Sequence, residues 1–419
     1  MLDEFEMIRV IRNMFLPLNE RFSSITDVND KGVHCWKKVD VKVEDHIVVP
    51  VFPDGLSTIE YDKALTEYVA KIACEPLPLN KPFWEIHVVK YPTMNGAGSV
   101  MFKLSHVIGD GYSIMGVLFR VFRRADDPSL PLTLPNMSLS MNKLGNNSFR
   151  SHVSKCINTF SDLTLSLLKG SISEDSKSGI RSGIVGVEFE PIAISSIFIP
   201  LDRLKVVKSK VRVTVNDVVT GVLYYIIHLY MVKTRDISCG KNMNLLVMFN
   251  TRMLRGYKSI DEMMKANIWG NHVSLLVVPV PCLSGDQKVD PLYFVTKAKE
   301  IMKKKKNSLF TYLTSIILKV LTSIRGPMAG AKFLQASFRN TTATISNLIG
   351  PVEKMAMAGH PVDCYLILLF WMQSLVFNTV SYKGQLRLIA TTEKNFIDTQ
   401  VFNSCMREAF NNIYDAACL

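Results

Sequence analysis

The chain of 419 residues has eight cysteines, yet no two of them form a Cys-x-x-Cys pair. They fall at positions 35, 74, 156, 239, 282, 364, 405 and 418. That scatter argues against a zinc ribbon or a dithiol redox motif and suits a reducing compartment. No Gly-x-Ser-x-Gly occurs, so the strained elbow that carries many serine nucleophiles is missing. The opening "MLDEFEMIRV" is acidic and has no apolar core region, which excludes a signal peptide there. No run reaches 18 uninterrupted apolar residues. The nearest, "SLFTYLTSIILKVL" (308–321) and "YLILLFWMQSLVF" (365–377), are shorter than a spanning helix needs. They read as core elements, with peripheral membrane contact as the alternative.

What is present is apolar mass and positive charge. Hydrophobic residues make up 48% of the chain, enough for a large core in two or three domains. Lysine and arginine exceed the acids by 12, a surplus that favours anionic partners: phosphorylated cofactors, acidic lipid surfaces or nucleic acid. The densest run, Lys303–Lys306, follows Lys297 and Lys299 on a predicted helix. It reads as a solvated face, or as attraction to an anionic membrane or to the phosphates of a cofactor. No zinc, RNP-type or helix-turn-helix signature accompanies the charge, which disfavours nucleic acid.

Periodicity predicts a mixed α/β chain. "HIVVPVF" reads as a strand ending at Pro53, "DKALTEYVAKIACEPL" as a helix, and "PFWEIHVVKY" and "SVMFKLSHVI" as two strands. A short helix over 152–168 sits between two polar stretches, the second of them "KGSISEDSKSGIRSG" (169–183). The second half predicts strands at "SIFIPL", "NLLVMFNTR" and "HVSLLVVPVP", and a long apolar helix opening near Asn216. Two further helices follow in "PLYFVTKAKEIMKKKKNSLFTYLTSII", then a strand and turn in "ATISNLIGP". A hairpin turning at Lys383-Gly384 comes last. The expected organisation is an N-terminal half over 1–168, a crossover over 169–195 and a C-terminal half over 196–419.

One stretch, "KLSHVIGDGYSI", drives an apolar run up to a histidine and then breaks. By strand alternation Val100, Phe102, Leu104 and His106 share a face, which directs the ring inward at the strand's end. Gly109 and Gly111 are expected to permit a tight turn with positive φ, and Ser113 to cap the next helix. A neutral imidazole in a partly dry channel is a good general base near neutral pH. The bland alternative is a core histidine satisfied by a backbone carbonyl. His106 and Asp110 also have a spacing compatible with a metal, but no third ligand is evident.

"SHVIGDG" is similar to the His-His-x-x-x-Asp-Gly signature of the wax ester synthase/diacylglycerol acyltransferase family. "PLNKPFWEIHVV" resembles its Pro-Leu-Trp-Glu element, "TVNDVVTGVL" its Asn-Asp helix start and "NIWGNHVSLLVVPV" its Gly-Asn strand. "TATISNLIGP" is similar to its Ser-Asn-x-x-Gly-Pro turn, and the tail "VSYKGQLRLIATTEKNFID" to the plant branch. The resemblance implies a CoA-dependent acyltransferase fold: two chloramphenicol-acetyltransferase-like halves of mixed α/β sheets, with a substrate tunnel between them. It implies transfer of a fatty acyl group from acyl-CoA to a long-chain alcohol or to diacylglycerol, with acyl-CoA as co-substrate, no bound cofactor and no metal. The implied setting is the endoplasmic reticulum membrane or the plasma membrane, with peripheral attachment.

Carried over to this chain, the resemblance makes His106 the general base and Asp110 a support of its loop, paired with Arg252. Asn216 and Asn271 are the implied oxyanion or positioning donors, and for Asn216 a helix N-cap is the competing reading. Gly111 and Trp84 are implied supports, with Pro82 and Phe83 shaping the tunnel. Two departures stand out. Ser105 replaces the first histidine of the signature, and the resemblance implies that the chain begins late, with the family's first strand expected to be missing. Two rival readings remain: a non-catalytic lipid or acyl-CoA binding relative, and a soluble acyltransferase of specialised metabolism. The second is weakened by the absence of its usual Asp-Phe-Gly-Trp-Gly element.

Overall fold

The computed structural model describes residues 4–30, 32, 34–133, 149–236, 242–252, 269–281, 283, 289–369 and 372–419. Contacts divide the chain into two units that do not follow its linear order. The first takes residues 1–137, 256–272 and 349–365; the second takes 138–255, 273–348 and 366–419. This partition differs from the expected halves 1–168 and 196–419, because the chain leaves the second unit twice to complete the first.

In the first unit, helix α1 (Glu4–Val10) precedes an antiparallel pair, β1 (Ser24–Val28) with β2 (His34–Lys38). A separate sheet has the order β3 (Ile47–Val48), β4 (Trp84–Val89), β5 (Ser99–Leu104). The strand expected over 46–52 shrinks to two residues. Pro50 and Pro53 cannot donate to a ladder, so pairing stops before them. Helix α2 (Thr58–Cys74) opens with a capping box in which Ser57 and Glu60 each satisfy the other's backbone N–H. β4 and β5 pair in register from Trp84↔Leu104 to Val89↔Ser99. Helix α3 (Gly111–Val121) follows the turn after β5. Residues 355–357 return to pair with Arg123–Arg124.

The second unit is built on a six-stranded sheet. Its order is β6 (Ile192–Pro200), β11 (Gln385–Glu393), β10 (Leu375–Tyr382), β9 (Ala343–Ile349), β7 (Asn244–Asn250), β8 (Val273–Pro279). β10 and β11 form the expected hairpin. Lys383 and Gly384 both take left-handed φ, 49° and 73°, the geometry that matches a tight hairpin to strand twist. Seven helices accompany the described sheet: α4 (Phe149–Lys169), α5 (Leu201–Val211), α6 (Val215–Lys233), α7 (Leu292–Lys306), α8 (Phe310–Arg325), α9 (Pro327–Arg339) and α10 (Thr399–Cys418).

α6 is the one described helix long and apolar enough to cross a membrane, and most of it is buried. It packs on α7 and α10 inside the main core, with Val222, Leu223, Tyr224 and Ile226 essentially inaccessible. Gly221 permits that approach: a Cβ there would meet the Val295 backbone at 2.7 Å.

The polar stretch 169–195 is not an open crossover. Asp175 is buried, its side chain fully shielded, and it accepts from Lys169 Nζ, the Asn244 N–H and the Thr342 N–H at 2.7, 2.7 and 2.9 Å. It thereby ties the start of β7 to the residue preceding β9. Among the described residues, no group of three His, Cys, Asp or Glu side chains is placed to hold a metal.

Candidate active site

The turn that carries His106 is built from β5 outward. The strand ends at Leu104, two residues before the histidine, so the alternation argument stops short of it. Residues 106–108 form a turn closed by Ile108 N–H donating to Ser105 O at 3.0 Å. Ser105 is itself held, its N–H on Phe83 O at 3.0 Å. Below the turn, Trp84 opens β4 opposite Leu104. Trp84 is wholly buried and donates its indole N–H to Phe22 O at 2.8 Å. Its ring stacks on His46 at 4.1 Å and meets Phe15 edge-on at 5.4 Å. The tryptophan therefore anchors the base of the turn through packing and one hydrogen bond.

Neither Gly109 nor Gly111 has positive φ. Gly109 is required for space: a Cβ there would lie 2.9 Å from Ser113 Cβ and 3.5 Å from the Trp269 ring. Gly111 is the first residue of α3. Its cap is Asp110, not Ser113: Asp110 Oδ1 accepts the Ser113 N–H at 3.0 Å, the usual reach of an N-cap carboxylate to the third helical residue.

The segment 269–272 grips this turn from the other side, within the same unit. Asn271 Nδ2 donates to the His106 main-chain carbonyl at 2.9 Å. Trp269 Nε1 donates to Ile108 O at 2.6 Å, and Arg21 Nη1 donates to the same carbonyl at 2.8 Å. The His272 N–H donates to Asp110 Oδ2 at 2.8 Å, and the Asp110 N–H to Gly270 O at 3.3 Å. Ser113 Oγ donates to Gly270 O at 3.0 Å. Gly270 has φ +116°, open essentially to glycine alone, which explains that residue in "WGN". Asp110 thus has two structural duties: it caps α3 and holds the strand-start segment against the turn.

His106 is half-buried, but its Nε2 is shielded from solvent. Burial pushes the imidazole below the ordinary histidine range, because the charged form loses hydration. The Asp110 charge and the Asn271 amide pull the other way without reversing the direction. At neutral pH the ring is neutral, the state a proton acceptor needs.

The remaining expected residues lie in the second unit. Asn216 is not an N-cap. Thr214 caps α6 and forms a capping box with Asp217, which leaves Asn216 at the second helical position. Its Oδ1 accepts from Asn347 Nδ2 at 3.3 Å, and Asn347 Oδ1 in turn accepts from Thr379 Oγ1 at 2.9 Å. Arg252 is buried just after β7, with its backbone N–H on Asn250 Oδ1 at 3.0 Å. Trp269, Arg21 and Ser113 were missed by sequence reasoning as supports of the turn. Trp269 had a signal, adjacent to Gly270 and Asn271; Arg21, far away in sequence, had none.

With this geometry in place, comparison with known proteins identifies the family. Residues 56–179 match the model of the wax ester synthase/diacylglycerol acyltransferase catalytic domain, and residues 269–414 match the WS/DGAT C-terminal domain. The chain belongs to the wax ester synthase/diacylglycerol acyltransferase family. As a member it is an acyltransferase. It is 28% identical over 370 residues to Wax ester synthase/diacylglycerol acyltransferase 11 of Arabidopsis thaliana, covering 82% of this chain and 74% of that one.

The wax ester synthase/diacylglycerol acyltransferase from Marinobacter aquaeolei VT8 superposes with a TM-score of 0.62 at 14% identity, over 100% of this chain and 92% of that chain. The starter condensation domain of rhizomide synthetase RzmA gives 0.58 at 11% identity, over 100% and 87%. These likenesses establish the CoA-dependent acyltransferase fold. The grip on the His106 turn joins the two family models, since His106 and Asp110 fall in the first and Trp269 to His272 in the second.

Proposed function

We propose that the chain transfers a fatty acyl group from acyl-CoA to a long-chain alcohol, forming a wax ester, and to diacylglycerol as a second acceptor. The observation that carries the reading is His106, its Nε2 shielded from solvent, in a turn whose carbonyls are tied down from both sides. In this reading the imidazole takes the hydroxyl proton as the alcohol oxygen attacks the thioester carbonyl. The tetrahedral intermediate collapses, the C–S bond breaks, and the imidazolium returns the proton to the departing CoA sulfur. No acyl-enzyme forms, and no bound cofactor takes part. Asn271 positions the base through its carbonyl, and Asp110 holds the turn's exit. The proposed setting is a membrane surface, where such acceptors reside.

The test supplies labelled palmitoyl-CoA with hexadecanol or diacylglycerol to the expressed chain, beside a His106→Ala variant of equal melting temperature. Ester from the parent, with a loss of ~10²-fold or more in the variant, supports the base assignment. A folded parent that binds acyl-CoA but forms no ester favours the binding-relative reading instead.

A further inference from the structure

α4 and α8 of the second unit pack beside each other on β8, and their outward faces are apolar. On α4 the face carries Ile157, Phe160 and Leu168; on α8 it carries Ile316, Val320 and Ile324. Phe160 is 72% exposed and Ile324 76%. Helical spacing places each set in one stripe. On α4 Leu163 and Leu165 pack inward, yet Asp162 and Ser166 are buried as well while Ile157, Phe160, Leu167 and Leu168 face solvent, more apolar exposure than an ordinary surface helix shows. A patch of this kind marks an interaction surface.

The charge around it says what kind. From 292 to 339 the sequence holds ten lysines and arginines and a single acid, Glu300. On α4 the only acid is Asp162, and it is neutralised by Lys305. The exposed Lys303 and Lys304 end α7 just before Leu309, whose N–H is fixed to Thr159 of α4 at 2.9 Å. An apolar stripe in a cationic surround complements an anionic bilayer: aliphatic and aromatic side chains enter the acyl boundary while lysines meet the head groups. A second copy of this chain fits poorly, since it would bring two strongly cationic faces together.

We propose that the α4–α8 face seats the protein on anionic lipid bilayers. The inference deepens the membrane setting of the proposed reaction, yet it is read by binding alone, so failure of ester synthesis leaves it standing.

The experiment is co-sedimentation of the full chain with vesicles of phosphatidylcholine, with and without phosphatidylserine. The expected result is binding to the phosphatidylserine vesicles that weakens with added salt. It should fall at least tenfold in Ile316→Asp/Val320→Asp, and similarly in Lys303→Glu/Lys304→Glu, whose apolar stripe is intact. Circular dichroism and melting curves should match the parent. Absence of binding by the parent overturns the proposal, as does unchanged binding in both variants. A parent that is dimeric without vesicles, and monomeric in the aspartate variant, also overturns it by making the face a contact between copies.

Discussion

Asn271 donates its side-chain amide to the main-chain carbonyl of His106 at 2.9 Å, across 165 residues of sequence. The bond fixes the peptide that carries the ring, so in the proposed reaction Asn271 would act through placement. Asn271→Ala is expected to lower kcat roughly 10- to 100-fold, the penalty for a misplaced base. KM for acyl-CoA should change much less. Steady-state kinetics separate the two. An unchanged kcat with a raised KM would assign Asn271 to substrate binding instead.

The protonation of His106 predicts a pH profile. Its folded pKa lies below the ordinary value of 6.5 because burial disfavours the imidazolium. The ring is therefore neutral through pH 7 and 8, and with His106 as the proposed base kcat/KM should stay flat there. Rate should fall only as pH drops below about 6.5, with an acidic limb centred under that value. The same shift has a stability consequence. Burial also lowers the pKa of His46, His87 and His228. Such groups lend no stability change above the unfolded pKa, and they destabilise the fold as pH falls through it towards the folded value, because the unfolded chain then binds more protons. Melting temperature measured from pH 8 to pH 5 should hold and then decline below about 6.5. A limb centred above 7 in the rate profile would contradict the buried, neutral ring.

Much of this was legible in the sequence. α2, α6, the β10–β11 hairpin and the polar break after β5 follow from period, capping residues and turn chemistry, all of them local. The strand-then-glycine pattern places His106 and Asp110 on either side of one bend, and the structure has them there. The local geometry of that bend was not legible. Asp110 outcompetes Ser113 as the cap because a carboxylate at the N-cap reaches the third helical N–H, while Ser113 is needed at Gly270. Thr214 likewise displaces Asn216 because Asp217 completes its capping box. The partition of the chain into units depends on segments 256–272 and 349–365 returning to the first unit, a long-range fact without a local signature. Asp175 is hidden for the same reason: its partners are 6 to 167 residues away.

Asp175 supplies a stability prediction. Its fully shielded carboxylate satisfies Lys169 Nζ and four groups at Asn244 and Thr342. Asp175→Ala leaves the buried Lys169 charge unpaired and is expected to destabilise the second unit by about 3–5 kcal/mol. Denaturant unfolding with purified protein measures it. A loss under ~1 kcal/mol would mean that water or another acceptor replaces the carboxylate.

Gly109 and Gly270 make the final prediction, because they are glycines for different reasons. Gly109 has an ordinary φ, so alanine there meets no backbone penalty and acts only through the crowding of its Cβ at 2.9 Å from Ser113 and 3.5 Å from Trp269. Gly270 has open space around a Cβ, the nearest atom being Arg21 Nη1 at 3.8 Å, but its φ of +116° strains any side chain. Gly109→Ala should displace the His106 turn and lower kcat at least tenfold, and pairing it with Ser113→Gly should restore much of the loss, since removing the Ser113 side chain makes room. Gly270→Ala should destabilise by about 1–3 kcal/mol and gain nothing from Ser113→Gly. Kinetics and melting curves on the two single and two double variants decide the matter. Rescue of both glycine variants by Ser113→Gly, or of neither, would show that space at Ser113 is not what Gly109 provides.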